Sequence, residues 1–216
     1  MAKVTLKQKF LKAGVKKYFR TGAEELVLGS YGKKETPALK ASYLFQFSKL
    51  NIQSGDVKEI GPFEFDFNNT TKADAILNAD AKVAEGNVVL TYESLKSGRV
   101  VFIQLSLSML PIIEALNSDS RATDYLKIQE KPRIVNTIFV AVSAEFVERI
   151  KGSAGIELNS QKNGVEISLK PSVGGGTILK LVLPKNSTIA YGLAIPVWDG
   201  SRTKVVDLNP DLKGAG

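Results

Sequence analysis

The sequence contains no cysteine and no histidine, and each absence removes a class of chemistry. Without cysteine there is no disulfide, thiolate nucleophile or zinc–thiolate centre. Without histidine the usual general base, the commonest metal ligand and the Ser-His-Asp triad are lost together. No stretch approaches the about 20 consecutive apolar residues of a transmembrane helix. Lysines interrupt the N-terminal segment where a signal peptide would carry its apolar run. The expectation is a cytoplasmic protein that is not an enzyme and holds no cofactor or metal.

The residual candidates for chemistry are weak. Ser30 to Lys33 match Ser-x-x-Lys, but the companion Ser-Asp-Asn and Lys-Thr-Gly elements are missing. Gly174-Gly175-Gly176 lack the surrounding phosphate-loop pattern. Glu64 with Asp66, or Asp74 with Asp80, read as acids alternating along exposed strand faces.

What the chain does have is one charged arm. Lys3, Lys7, Lys9, Lys12, Lys16, Lys17 and Arg20 precede the first acidic residue, Glu24. Without those seven, 22 basic residues face 22 acidic ones, so the net charge of +7 resides in the arm. A neutral body with one cationic arm suits docking on an anionic surface. The 216 residues, 44% hydrophobic and 24% charged, suit one domain over 1–216 with a loose polar tail over 199–216.

Val4, Leu11, Val15 and Tyr18 recur at helical spacing, which predicts a basic helix over Val4–Phe19 ended by Gly22. Such a helix has three readings: a lysine-rich element packed on a sheet, an adsorption device for anionic lipid, or a nucleic-acid contact. Lipid adsorption is worth about 1 kcal/mol per basic residue near the surface. The neutral strand segments speak against nucleic acid.

From Leu39 onward the period becomes two. Strands are predicted at Leu39–Ile52, Phe63–Phe67, Ile76–Val83, Val88–Leu95 and Val100–Met109. Pro111 opens a short helix, Ile112–Leu116, and Arg121–Pro132 reads as a polar loop. Strands resume at Ile134–Val147, Ile156–Leu158, Val165–Leu169, Ile178–Leu183 and Ile189–Val197. The fold class is therefore α+β: a twisted, largely antiparallel sheet with a basic N-terminal helix, short helices and long amphipathic β-hairpin segments.

Two runs, Asp74–Met109 and Val135–Lys170, alternate strongly. One face carries Leu77, Ala79, Ala81 and Val83, then Val101, Ile103, Leu105 and Leu107, and in the second run Ile138, Val140 and Val142. Lipid-facing strands of a transmembrane barrel read this way, and so do half-buried strands of a soluble sheet.

Thr177 to Leu193, TILKLVLPKNSTIAYGL, continuing to Val197, resembles a closing strand pair of the gasdermin pore-forming domain. Pro184, Ser187, Thr188, Ala190 and Tyr191 follow or approach that pattern, while Asn186 replaces its usual glycine. Arg133–Val147 and Asp74–Met109 resemble the family's two pore-hairpin regions. The likeness is nearer to bacterial or fungal forms without a large inhibitory domain, although the N-terminal cysteine of many bacterial relatives is missing.

The resemblance implies a cytoplasmic protein that binds anionic lipid at the inner face of the cell membrane, oligomerises and inserts β-hairpins as a barrel. The outcome would be cell death in defence. Under it, Lys3, Lys7, Lys9, Lys12, Lys16, Lys17 and Arg20 bind lipid, joined by Lys33 and Lys34 of a neighbouring basic loop. The inserting residues would be the alternating set from Leu77 to Val83, Val101 to Leu107 and Ile138 to Val142 named above. Partners would be anionic lipids, further copies of the chain and an inhibitory peptide or protein, with no nucleic acid. The competing expectation is a soluble β-rich interaction or assembly module with a basic partner-binding helix.

Overall fold

The computed structural model describes residues 2–38, 40–52, 55–75, 90–151, 153–161, 164–171, 179–183 and 187–211. It is a mixed α+β structure made mostly of strands. The predicted N-terminal helix is replaced by a three-stranded meander: β1 (Lys3–Leu6), β2 (Phe10–Ala13) and β3 (Lys16–Phe19). The reason lies at Gly14, whose φ of 59° opens a two-residue turn with Ala13 and Lys16 as register partners. Glycine at the first turn position suits a type II′ hairpin. Leu11 and Tyr18 are partners across this hairpin, and Leu6 faces Leu11 from the other side. Residues seven apart thus share a face without any helix. Val15, assigned to the apolar stripe, sits at the turn tip and is 95% exposed.

The chain continues through a 3-10 turn (Ala23–Glu25), β4 (Ser30–Glu35), β5 (Tyr43–Lys49), β6 (Gly55–Phe65) and the short helices α1 (Lys72–Ala75) and α2 (Tyr92–Lys96). Next come β7 (Val100–Leu107), α3 (Met109–Ser118), α4 (Ser120–Ile128), β8 (Pro132–Ser143) and α5 (Ala144–Lys151). Then follow β9 (Ser153–Gln161), β10 (Gly164–Pro171), β11 (Leu179–Leu183), β12 (Thr188–Trp198) and β13 (Val205–Pro210).

Several boundaries differ from expectation. Arg121–Pro132 is largely α4, capped by Asp119, whose side chain accepts from the Ala122 N–H. Ile134–Val147 divides into β8 and α5, so β8 leads into a helix rather than a hairpin. Leu90 to Leu95 leads into α2, whose N-cap Thr91 forms a capping box with Ser94. Of the predicted loose tail, 199–211 is ordered, since β13 pairs with β12 from Ala194 to Trp198, and 212–216 lies outside the described residues. The predicted strand Ile76–Val83 lies outside the described residues.

Seven strands close into a barrel in the order β6-β1-β2-β3-β12-β8-β7, with β7 returning to β6. The β1–β6 pairing is parallel; the other six junctions are antiparallel. Inward-facing side chains fill the barrel, as in other narrow barrels. Val4, Leu6, Leu11, Phe63, Phe102 and Phe139 form this inner cluster, with Tyr18 edge-on to Phe139 at 4.6 Å. A larger cluster lies outside the wall. There the other faces of β7, β8 and β12 pack beneath α3, α4 and α5 through residues such as Ile112, Leu126 and Phe146. β4 and β5 extend the sheet beyond β8, and β9, β10 and β11 extend it beyond β6.

Candidate functional site: a cationic face on the barrel wall

Strand register builds this site. Thr5, Lys12 and Lys17 are successive partners across β1, β2 and β3, so their side chains form a row. Lys3 precedes Thr5 on β1 and Phe10 precedes Lys12 on β2 at two-residue spacing, so they point the same way, and Lys7 and Gly14 lie just beyond the strand ends beside the same depression. The opposite face carries Val4, Leu6, Leu11 and Tyr18 into the barrel. Lys3, Thr5, Lys7, Phe10, Lys12 and Gly14 line a depression of about 420 Å³, with Asp66 and Asn69 on its rim. Lys17 Nζ lies 4.7 Å from the centre of the Phe10 ring, a cation–π contact.

The carboxylates around this face are already engaged. Asp66 accepts from Asn69 Nδ2 at 2.8 Å and from Thr5 Oγ1 at 3.2 Å. These bonds, Asn69 foremost, hold it below the usual carboxylate range. Asp74 accepts from the Gln8 N–H at 3.1 Å and lies 3.6 Å from Lys7 Nζ. Among the described residues no carboxylate lies within ion-pair distance of Lys3, Lys9, Lys12, Lys16 or Lys17. Lys9 is exposed before β2, while Lys16 points towards one mouth of the barrel, a polar crevice it shares with Gln104, Ser106 and Thr137.

The remaining predicted lipid-binding residues are placed differently. Arg20 is 7% exposed, and its Nη1 donates to the carbonyls of Lys7 and Asp74, both at 2.8 Å. Burial pushes its pKa down to about 10, against the attraction of Asp74 and Glu24. It ties the end of the meander to α1 and offers nothing to a surface. Lys34 is 8% exposed and pairs with Asp211 at 2.9 Å, and the same Asp211 oxygen accepts from Arg133 Nε at 2.7 Å. Lys33 is paired with Glu35 at 3.0 Å on β4, outside the barrel strands. Arg20, Lys33 and Lys34 therefore do not join the cationic face.

Of the predicted inserting residues, Leu77, Ala79, Ala81 and Val83 lie outside the described residues. Ile103, Leu105, Leu107, Ile138, Val140 and Val142 are buried in the larger cluster, with Val101 packed against it. They share one face of adjacent strands, β7 and β8 pairing from Val100–Ser143 to Ser106–Thr137, and they pack against protein. The Ser30 hydroxyl accepts from the Val27 N–H and from Gln46 Nε2, so it is a structural group beside a turn.

Among the described residues no group of acidic side chains is placed to hold a metal ion, and no helix is long and apolar enough to cross a membrane. The chain matches no protein-family model, no curated protein and no solved structure.

Proposed function

We propose that this protein docks on anionic lipid through the outer face of the β1–β3 meander. Docking is then the first step towards a pore formed by several copies at the inner face of the cell membrane. The observation that carries the reading is the convergence of Lys3, Lys7, Lys12 and Lys17 on one face by strand register. Val15 adds an apolar tip beside that face, placed to enter the interfacial layer. The pore step rests on the gasdermin resemblance and on the alternation of β7 and β8. It requires those strands to exchange protein packing for lipid and for neighbouring copies, because isolated strand edges are not tolerated in a bilayer.

Co-sedimentation with phosphatidylserine-containing vesicles and with neutral phosphatidylcholine vesicles tests the docking. Binding to the anionic vesicles alone is expected. The double change Lys12→Glu, Lys17→Glu should weaken it by about tenfold or more, given about 1 kcal/mol per basic residue. Dye release from the same vesicles tests the pore. Adsorption without release at any protein concentration would leave a lipid-docking or partner-docking β-barrel module in its place.

A further inference from the structure

The meander that carries the lysines is also one wall of the barrel, and its two seams are the shortest in the ring. β1 meets β6 only at Lys3–Glu64 and Val4–Phe65. There Glu64 N–H donates to the Ala2 carbonyl and Asp66 N–H to the Val4 carbonyl, both at 2.9 Å. β3 meets β12 at the single pair Phe19–Tyr191. By contrast, β7 follows β8 without interruption from Val100 to Ser106, and β8 follows β12 from Ile134 to Val140.

The two seams are not equally held. At β12, the Phe19 and Tyr191 rings stack at 5.5 Å, Tyr191 Oη donates to the Thr21 carbonyl at 3.0 Å, and the Lys34 ammonium lies over Phe19. At β6, side-chain contacts from the 66–74 segment supplement the two ladder bonds. Thr5 Oγ1 donates to Asp66, the Leu6 N–H to Thr70 Oγ1 and the Gln8 N–H to Asp74, Lys7 pairs loosely with Asp74, and Arg20, at the β3 end of the meander, bridges the Lys7 and Asp74 carbonyls. Three of these contacts end on the Asp66 and Asp74 carboxylates, so an anionic surface facing Lys3, Lys7 and Lys12 competes for Lys7 and repels both carboxylates. Behind the seam lies the inner cluster, where Phe63, Phe102 and Phe139 are within 6% of full burial.

We propose that the β1–β3 meander is a lid: engagement of its lysines by an anionic bilayer parts it from β6, with the β3–β12 seam as the hinge. The inner faces of β6, β7 and β8 then meet lipid. This rests on the docking reading. It adds that the element finding the membrane is the one covering the aromatic lining, so adsorption and uncovering are a single event. Breaking the side-chain packing of Val4, Leu6 and Leu11 opposes the opening, and transfer of these residues and the uncovered phenylalanines into hydrocarbon compensates.

The absence of native cysteine makes the test clean. Lys3 and Glu64 are register partners and both exposed, so the double change Lys3→Cys, Glu64→Cys places two thiols where a disulfide would clamp the seam. Binding to phosphatidylserine vesicles is measured for the oxidised and the reduced variant at low salt and in 0.5 M NaCl, about the range where screening removes surface attraction. Both forms lack Lys3, so at low salt they should bind with equal affinity through Lys7, Lys12 and Lys17, and more weakly than the unmodified protein. In high salt the reduced form should stay bound through its inserted apolar surface, and the oxidised form should be released, with affinity at least about tenfold weaker.

Equal binding of the two forms at both salts would overturn the lid while leaving docking intact. Absence of binding at low salt, in the unmodified protein too, would remove docking and the lid together. A measurement without any substitution gives an independent check. Amide exchange at Val4–Leu6 and Glu64–Asp66 should accelerate about tenfold or more on vesicles. Unchanged exchange there would equally overturn the lid.

Discussion

Asp211 supplies one carboxylate to two cations, the buried Lys34 and the partly buried Arg133, and its side chain is only 3% exposed. Burial raises its pKa, but the hydrogen bonds and charges of Arg133 and Lys34 outweigh this and leave it below the usual range. Removing the charge leaves both cations unmatched in a poorly solvated site. Asp211→Asn should therefore cost about 3–5 kcal/mol in urea unfolding. Lys12→Glu on the exposed face should stay within about 0.5 kcal/mol of the wild type. Equal losses would mean that the cationic face is itself structural.

The same carboxylates set the pH dependence. A depressed folded-state pKa contributes stability above the unfolded value of about 3.9, and that stability is lost as pH falls through the folded value. Asp211, Asp66 and Asp199 all lie on this side. With no histidine or cysteine to titrate near neutrality, calorimetry should give a flat melting temperature from about pH 5.5 to 8 and a fall below about pH 4. A marked slope near pH 6.5 would contradict this. Lys34 and Asp211 are 177 residues apart, so no local pattern distinguishes Lys34 from the lysines that reach solvent. Its place in a lipid-binding set followed from the gasdermin resemblance, and burial against Asp211 takes it off the exposed surface.

At the scale of elements, the N-terminal arm shows why periodicity misleads in short basic segments. Leu11 and Tyr18, seven residues apart, share a face in a helix and also across a tight hairpin between them. Glycine decides between the two. Gly14 holds φ 59° at the turn, and nothing lies within 4 Å of a Cβ built there. Gly14→Ala should consequently cost only the conformational strain, about 1 kcal/mol.

Gly32 is the contrasting case, because a Cβ there would collide with the Phe45 backbone carbonyl across the β4–β5 pair. Gly32→Ala should exceed the about 1–3 kcal/mol typical of overpacking, since backbone yields less than a side chain. Denaturant midpoints of the two variants check both values, and similar midpoints would refute the distinction. Strands with strict alternation, such as β7, were legible in the sequence. The segments around α4 and β13 were not, because polar composition hid a capped helix and an edge strand whose order comes from tertiary pairing with β12.

For the molecule as a whole, alternation revealed that β7 and β8 have two faces but not what each face meets. Both meet protein. Phe102 and Phe139 point into the barrel, whereas Ile103, Leu105, Ile138 and Val140 point into the helix-covered cluster. The same two strands thus belong to both cores, and neither core can lose them without exposing the other. This coupling predicts one cooperative transition despite two separate clusters. Trp198, the only tryptophan, packs against the larger cluster, so its fluorescence reports that core alone, while far-ultraviolet circular dichroism reports all the strands. The two signals should coincide in urea, and the calorimetric and van't Hoff enthalpies should agree. A tryptophan transition displaced from the strand signal would mean that the barrel and the helix-covered layer fold independently, and that β7 and β8 can leave one while held by the other. Leu105→Asp belongs to the same argument. At 1% exposure, a charge there should abolish the shared transition rather than act selectively on membrane insertion.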